Sequence, residues 1–158
     1  MQFIRKVSYL GDNTGILKMM RESLEEPAGI TYLILIYSDR KNGDKYVKTP
    51  FNYRKQSIRF SKYEHIIVYM RNLSEVMRNK MKTGLPDLYM DWLRTEPAGN
   101  AVWAVHFWEG ENGDLNGRAY YVPEDRESVF YGTGNLLKIF YSVKEDDDGR
   151  NRRASETP

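Results

Sequence analysis

A repeated sequence frame constrains the fold of this chain more than any other feature. Residues 26–44 read EPAGITYLILIYSDRKNGD and residues 96–114 read EPAGNAVWAVHFWEGENGD, so both ends of the frame recur after 70 positions. The match extends past the frame, because residues 57–60 (SIRF) correspond, after a one-residue shift, to residues 128–131 (SVFY). Self-similarity at a fixed spacing indicates a repeated structural unit. The sequence therefore predicts two tandem repeats that pack as a pseudo-twofold pair.

The repeat defines the expected domain organisation of the 158 residues. Repeat 1 spans residues 14–77 and repeat 2 spans residues 78–145, and a chain of this length supports one core shared by both. Residues 1–13 are expected to form a lead-in strand. Residues 146–158 are polar and low in apolar content, which is typical of a disordered tail.

Each repeat is expected to fold as β-β-β-β-α, which makes the class α+β with antiparallel sheets and the helices on one side. Alternation over residues 30–39 and 101–108 is typical of strands. Its apolar set should face the core in both repeats: Thr31, Leu33, Leu35, Tyr37 and Ala101, Trp103, Val105, Phe107. The two Asn-Gly-Asp segments favour hairpin turns. The segments before EPAG are interpreted as the first strands, with helices in their place as the alternative.

Two further strands and a helix are expected after each turn. The third strands fall near residues 45–53 and 118–122, and the fourth near residues 57–60 and 128–131. Ser61 and Glu64 have the spacing of a capping box, which opens a helix to about Met81. Its inner face should contain Ile66, Met70, Leu73 and Met77. A shorter helix is expected over residues 135–143.

The net charge of +2 conceals two oppositely charged stretches. Residues 40–62 contain eight basic residues and one acidic residue, a net charge of +7. The matching stretch of repeat 2, residues 109–131, contains two basic and six acidic residues, a net charge of −4. A basic stretch of this density indicates a nucleic-acid partner.

Composition excludes several other classes. The chain has no cysteine, which rules out disulfides, thiolate nucleophiles and cysteine-based zinc sites. Its longest apolar run, residues 32–37, is far shorter than the roughly 20 residues of a membrane-spanning helix. The first residues, MQFIR, lack the apolar segment of a secretory signal. We therefore expect an intracellular protein, cytoplasmic or nuclear, with no membrane association and no cofactor.

The element order and the segment SIRFSKYEHIIVYMRNL resemble the single-stranded nucleic-acid-binding units of the Whirly and Pur families and of the positive-cofactor type of transcriptional coactivator. The resemblance covers residues 14–145. It implies that the two units pack their helices together and that their curved sheets present a surface for nucleic acid.

Cations and aromatic rings alternate along the predicted third and fourth strands, as a single-strand binding surface requires. Together with residues of the mixed strand face and of repeat 2, they form the predicted site: Tyr32, Lys45, Tyr46, Lys48, Phe51, Tyr53, Arg54, Lys55, Arg59, His106, Trp108, Arg118, Tyr120 and Tyr121. The leading hypothesis is a non-enzymatic binder of single-stranded DNA or RNA, monomeric or homodimeric. The alternative is a protein-interaction or regulatory module, of the kind a virus or phage encodes, which meets its partner through a sheet face or an exposed edge.

An enzyme is the third hypothesis. His65 is expected at the surface or boundary of the capped helix, and His106, on the mixed strand face beside Trp108, has no carboxylate or second histidine at ligand spacing. Carboxylates held by Asp87, Asp91 and Glu96 could bind magnesium, as in nucleases. Isolated acidic residues are more often simply solvated, so no catalytic or metal-binding residue is predicted.

Overall fold

The computed structural model describes residues 15–16, 18–19, 31–39, 41–49, 58–80, 92 and 101–143, with side chains in the range 58–80 described as far as Met77. The predicted lead-in strand and tail lie outside these residues. So do the four site residues Phe51, Tyr53, Arg54 and Lys55 and the acidic residues Asp87, Asp91 and Glu96.

The described residues form an α+β fold with one six-stranded antiparallel sheet and two long helices. The strands are β1 (Thr31–Ser38), β2 (Lys45–Lys48), β3 (Ile58–Phe60), β4 (Ala101–Glu109), β5 (Leu115–Tyr121) and β6 (Arg126–Tyr131). The helices are α1 (Tyr63–Lys80) and α2 (Thr133–Ser142), and a 3₁₀ turn, Val122–Glu124, joins β5 to β6. No helix among these residues is long and apolar enough to cross a membrane.

The strand order in the sheet is β3-β2-β1-β4-β5-β6. Each strand pairs antiparallel with its neighbours, and the β1–β4 pair lies at the centre with Ile34 opposite Val105. The described strands within residues 14–77 therefore occupy one half of the sheet, and those within residues 78–145 occupy the other. Among the described strands, β3 and β6 are the two edges.

The Asn-Gly-Asp turns join β1 to β2 and β4 to β5 as the sequence predicts. Gly43 and Gly113 have φ angles of 77° and 85°, a region that side chains disfavour. In both turns the Asp amide donates to the Asn side-chain oxygen, at 3.0 Å from Asp44 and 3.1 Å from Asp114. The turns differ in length by one residue, because the Asp39 amide donates to the Asp44 carbonyl and the Gly110 amide donates to the Asp114 carbonyl.

The two faces of the central strands differ from the predicted assignment. The helix face contains Tyr32, whose hydroxyl donates to the Ser74 carbonyl of α1 at 3.2 Å, and Trp103, which packs edge-on against Phe140 of α2 at 5.2 Å. The far face contains Leu33 and its cross-strand partner His106. Trp103 thus shares a face with Tyr32 and not with Leu33, because a one-residue difference in register reverses the face of every side chain.

Both faces of the central pair are buried, which also differs from the prediction of one core face. The burial extends along β1 from Thr31 to Ile36, where no side chain is more than 2% exposed. On β4 it includes His106, at 0%. The sequence of a strand that is buried on both faces is a nearly continuous apolar run, and residues 31–36, TYLILI, have this pattern.

The predicted first strands are not found at the residues described there. Ile16 and Met19 are helical and buried, and so is Trp92 in the corresponding segment of repeat 2. At these residues the alternative, a helix in place of each first strand, is the one observed. Propensity is a weak guide for such short segments because packing against the core overrides it.

The prediction for α1 is confirmed, since Ile66 and Met70 are fully buried, Leu73 is 8% exposed and Met77 packs against the core. The two helices meet where Tyr63 of α1 stacks on Phe140 of α2, with ring centroids 4.4 Å apart. Burial of each large apolar side chain stabilises the fold by about 1.5–3 kcal/mol. One apolar core therefore joins the two halves.

Candidate binding surfaces at the two ends of the sheet

The two ends of the sheet carry opposite charge. The basic end, defined here as residues 41–49 and 58–62, contains five basic residues and the acidic residue Asp44, a net charge of +4. The acidic end, residues 109–131, retains its net charge of −4. The asymmetry seen in the sequence is thus an asymmetry between opposite edges of one sheet.

Cations at the basic end lie over aromatic rings of the protein itself. Lys48 Nζ is 5.2 Å from the centre of the Tyr37 ring on the far face, and Lys45 Nζ is 4.6 Å from the Tyr63 ring on the helix face. Such contacts contribute about 0.5–1 kcal/mol at exposed sites. The rings therefore position these cations, and the cations occupy ring surface that a stacked base would need.

Arg59 takes part in a polar network at the basic end that includes Tyr46, Asp39 and Asp44. Its guanidinium lies 5.3 Å from the Tyr46 ring centre and donates to the Tyr46 hydroxyl at 2.8 Å, and that hydroxyl donates to Asp39 Oδ2 at 3.2 Å. Arg59 also forms an ion pair with Asp44 at 3.5 Å. The Arg59 side chain is still 60% exposed, so part of the guanidinium remains accessible.

Four of the predicted base-stacking residues are buried. They are Tyr32, His106, Tyr120 and Tyr121, none of them more than 6% exposed. The Tyr121 ring packs against Trp103 at 5.0 Å, and the Tyr120 hydroxyl donates to Asp125 at 2.5 Å. Trp108 is half-buried and contacts the edge of His106 at 5.6 Å. In this conformation the four buried rings belong to the core.

His106 is the most unusual of these residues. Neither ring nitrogen has a hydrogen-bond partner within the described structure. Burial, with a smaller contribution from the positive charge of Arg118, lowers the pKa of His106 to about 4. The ring is therefore neutral at pH 7, where an unsatisfied buried polar group costs about 1–3 kcal/mol.

Arg118, the predicted cation of repeat 2, is engaged within the acidic end. It forms an ion pair with Glu127 of β6 at 3.1 Å, and only 19% of its side chain is exposed. The other basic residue of this end, Arg126, lies 3.3 Å from Glu124. Both positive charges of the acidic end are therefore paired with carboxylates on the same surface.

Asp114 connects the β4–β5 turn to both helices. Its carboxylate accepts hydrogen bonds from the Leu115 amide at 2.8 Å, from the Thr133 amide at the start of α2 at 3.2 Å and from Arg71 of α1 at 3.2 Å. Partial burial acts to raise the pKa of Asp114, but these hydrogen bonds and the Arg71 charge outweigh it, and the net shift is downward. This carboxylate fixes the acidic end to the helices.

The most exposed aromatic residue of the described strands was not among the predicted site residues. Tyr131 is 76% exposed and Val129, two residues earlier on β6, is 45% exposed. Both lie on the far face, because their β5 partners are Asn116 and Arg118. The sequence signal was an alternation along β6. Ser128 and Phe130 point to the helices, and the alternating residues Glu127, Val129 and Tyr131 point to the far face.

The described residues define an α+β protein with one six-stranded antiparallel sheet, the helices α1 and α2 on one face and two edges of opposite charge. Within the described residues, no group of three or more His, Cys, Asp or Glu side chains is arranged to hold a metal ion. Comparison of the chain with protein-family models, with curated proteins and with solved structures finds no match in any of the three.

Proposed function

We propose that this chain is a non-catalytic binding module that docks a partner protein at the acidic end of its sheet. The observation that carries the proposal is the pair Val129 and Tyr131, 45% and 76% exposed on one face of an edge strand. Tyrosine is enriched at the centres of protein interfaces, because it supplies a large contact area and a hydrogen-bonding group together. Because the surrounding end has a net charge of −4, which repels phosphates, this exposed pair favours the protein-interaction hypothesis over nucleic-acid binding.

The fold supports a division of labour between two copies of one ancestral unit. The strand order is symmetric about the β1–β4 pair, and Ile34 and Val105 face each other at that centre. We infer a pseudo-twofold axis there, relating each set of three strands and its following helix to the other set. The two Asn-Gly-Asp turns, with the same Asx hydrogen bond, support this relation. The copies then diverged in charge and in the exposure of their edges.

Affinity capture with an edge-directed variant tests the proposed function. The tagged full-length chain and the double variant Val129→Ser with Tyr131→Ser are used to capture partners from the organism that encodes it, with nuclease treatment. The matched control is Val68→Ser with Val76→Ser, because these α1 residues are 54% and 47% exposed.

The expected result is one stoichiometric protein that the wild type and the α1 control recover and the β6 variant does not. Equal recovery by all three chains, or recovery of no stoichiometric protein, contradicts the proposal. Circular dichroism of each variant establishes that loss of capture does not come from unfolding.

Single-stranded nucleic acid is the second candidate, favoured by the net charge of +4 at the basic end and by the accessible guanidinium of Arg59. Here the ligand would be held mainly through its phosphates, so binding would fall steeply with salt. Titration of a labelled oligonucleotide at two salt concentrations tests it, with Lys48→Ala and Arg59→Ala against the exposed α2 residue Lys138→Ala as control. Binding that is absent at low salt, or equal in all variants, rejects this candidate.

A further inference from the structure

We infer that the partner contributes an extended, basic segment that pairs with β6 as an antiparallel seventh strand, an inference that rests on the proposed function and specifies the chemistry of the partner. Three properties of β6 support this inference: the direction of its backbone groups, the exposure of its far-face side chains and the charge of its surroundings.

Among the described strands none pairs with the outer side of β6, so its backbone groups on that side have no strand partner there. The Gly132 amide donates to the Leu115 carbonyl at 2.8 Å, so residues 115 and 132 are a hydrogen-bonded pair of the β5–β6 ladder. Bonded and non-bonded pairs alternate in an antiparallel ladder, which directs Ser128 and Phe130 toward β5 and Glu127, Val129 and Tyr131 outward.

The outward groups are suited to strand addition. The Tyr131 amide already donates to Asn135 Oδ1 at 3.0 Å, which leaves the amides of Glu127 and Val129 as donors. The carbonyls of Glu127, Val129 and Tyr131 are the corresponding acceptors. A row of this kind is the template that extended peptides use when they add to a sheet edge.

The side chains of the same three residues lie on the far face. A paired strand would place alternate side chains directly opposite them, at Cβ separations of about 4.5–5.5 Å. Apolar side chains opposite Val129 and Tyr131 would cover the exposed apolar surface. A lysine or arginine opposite Glu127 would meet a carboxylate.

Charge selects a basic partner over a second copy of this chain. The acidic end has a net charge of −4, and its only two basic residues, Arg118 and Arg126, already lie 3.1 Å and 3.3 Å from carboxylates. Two copies joined through β6 would bring two such surfaces together, and like charges at close range oppose association. A basic segment reverses the sign of that interaction.

A register-matched peptide tests the inference on the full-length protein. The probe is a nine-residue peptide in which valine, valine and lysine occupy alternate positions, so that they oppose Tyr131, Val129 and Glu127. Amide NMR spectra of the ¹⁵N-labelled chain are recorded during titration. We expect the largest shifts at the Glu127 and Val129 amides and about tenfold weaker binding when the lysine is replaced by glutamate.

Two protein variants separate backbone pairing from charge. Val129→Pro removes an outward amide that β5 does not use, and proline is tolerated at such edge positions. Glu127→Lys reverses the charge and is the second variant should Val129→Pro fail to fold. Each should weaken peptide binding about tenfold, and Val76→Ala on α1 should leave it unchanged.

The outcomes distinguish this inference from the proposed function. Shifts spread over the basic end, equal binding of the glutamate peptide, or sedimentation showing self-association through β6 would overturn the strand-addition inference. The proposed function would survive that result if the affinity capture still depended on Val129 and Tyr131. Absence of peptide binding together with equal capture by all variants would reject both.

Discussion

The two ends of the sheet contain the same elements but use their polar residues differently. At the basic end Lys48 and Arg59 lie over Tyr37 and Tyr46, so the rings are partly covered. At the acidic end the cation Arg118 is paired with Glu127, and the nearby Tyr131 is left 76% exposed. The two halves of one sheet can thus share a core while only one edge is accessible for an apolar contact.

The largest expected effect tests whether the two ends share one core. Phe140 is fully buried and packs against both Tyr63 and Trp103, so Phe140→Ala should lower the free energy of unfolding by about 4 kcal/mol. Denaturant titration should show one transition, with both ends lost together. Val68→Ala, at an exposed position, is the control and should change stability by less than about 0.5 kcal/mol.

Hydrogen exchange on Phe140→Ala gives the decisive comparison of the ends. Amides of β2 and of β5 should lose protection to the same extent if the core is shared. Protection retained in β2 while β5 exchanges freely would show that the ends are separate cooperative units.

The second prediction concerns His106 of β4, which lies next to the acidic end. Its cross-strand partner on the same face, in the other half of the sheet, is Leu33 of β1. The pKa of His106 is about 4 in the folded protein against an ordinary value of 6.5, so the unfolded chain binds more protons between these values. The contribution of the neutral His106 to the free energy of unfolding is complete above pH 6.5. It falls by about 3 kcal/mol as the pH is lowered from 6.5 to 4.

His106→Leu should remove that pH dependence and leave stability at pH 7 unchanged or increased, because it removes an unsatisfied polar group from the core. Thermal melts of both chains at pH 7, 5.5 and 4.5 measure the difference. His65→Leu, at an exposed helix position, is the control for loss of a histidine. An equally steep fall in His106→Leu would contradict the assignment.

The third effect tests how closely β4 and β5 approach at the acidic end. A Cβ atom on Gly117 would clash with the His106 carbonyl oxygen and would lie 2.8 Å from Phe107 Cα, both of them backbone atoms. Gly117→Ala should therefore cost about 2–3 kcal/mol. Gly134→Ala in α2, where a Cβ meets nothing within 4 Å, is the control and should be neutral or slightly stabilising. If Gly117→Ala left the free energy of unfolding unchanged, β4 and β5 could move apart at this position without loss of stability, which would contradict the prediction.

Local pattern in the sequence identified the central strands, the two hairpin turns and α1. Alternation over residues 30–39 predicted β1, and Asn-Gly chemistry predicted both turns, because each depends on neighbouring residues alone. The accessible residues were not predicted, since exposure depends on pairing order: Tyr131 is exposed because β6 is an edge, and Tyr120 is buried because β5 is not. Likewise, the contact of Lys48 with Tyr37 joins residues of different strands, which no local spacing reveals.

The smallest expected change in stability comes from replacing the aspartates of the two Asn-Gly-Asp turns, Asp44 and Asp114. Asp114 accepts hydrogen bonds from the first amide of α2 and from Arg71. Within the part of the chain that the structure describes, Asp44 forms an ion pair only with the 60% exposed Arg59. Asp114→Ala should lower the free energy of unfolding by about 1 kcal/mol, the usual value of a helix cap, and Asp44→Ala by less than about 0.5 kcal/mol.

The pH dependence sharpens this last comparison. Because the pKa of Asp114 is lowered from 3.8 in the folded protein, its contribution is complete above pH 3.8 and is lost as the pH falls through the folded value. Asp114→Ala should therefore lose less stability than the wild type between pH 5 and pH 3, as urea titrations at the two pH values would show. Equal costs for the two substitutions would mean that the two turns, which share their Asn-Gly-Asp sequence and its Asp-to-Asn hydrogen bond, stabilise the two ends equally, and that the divergence of the ends is confined to their surfaces.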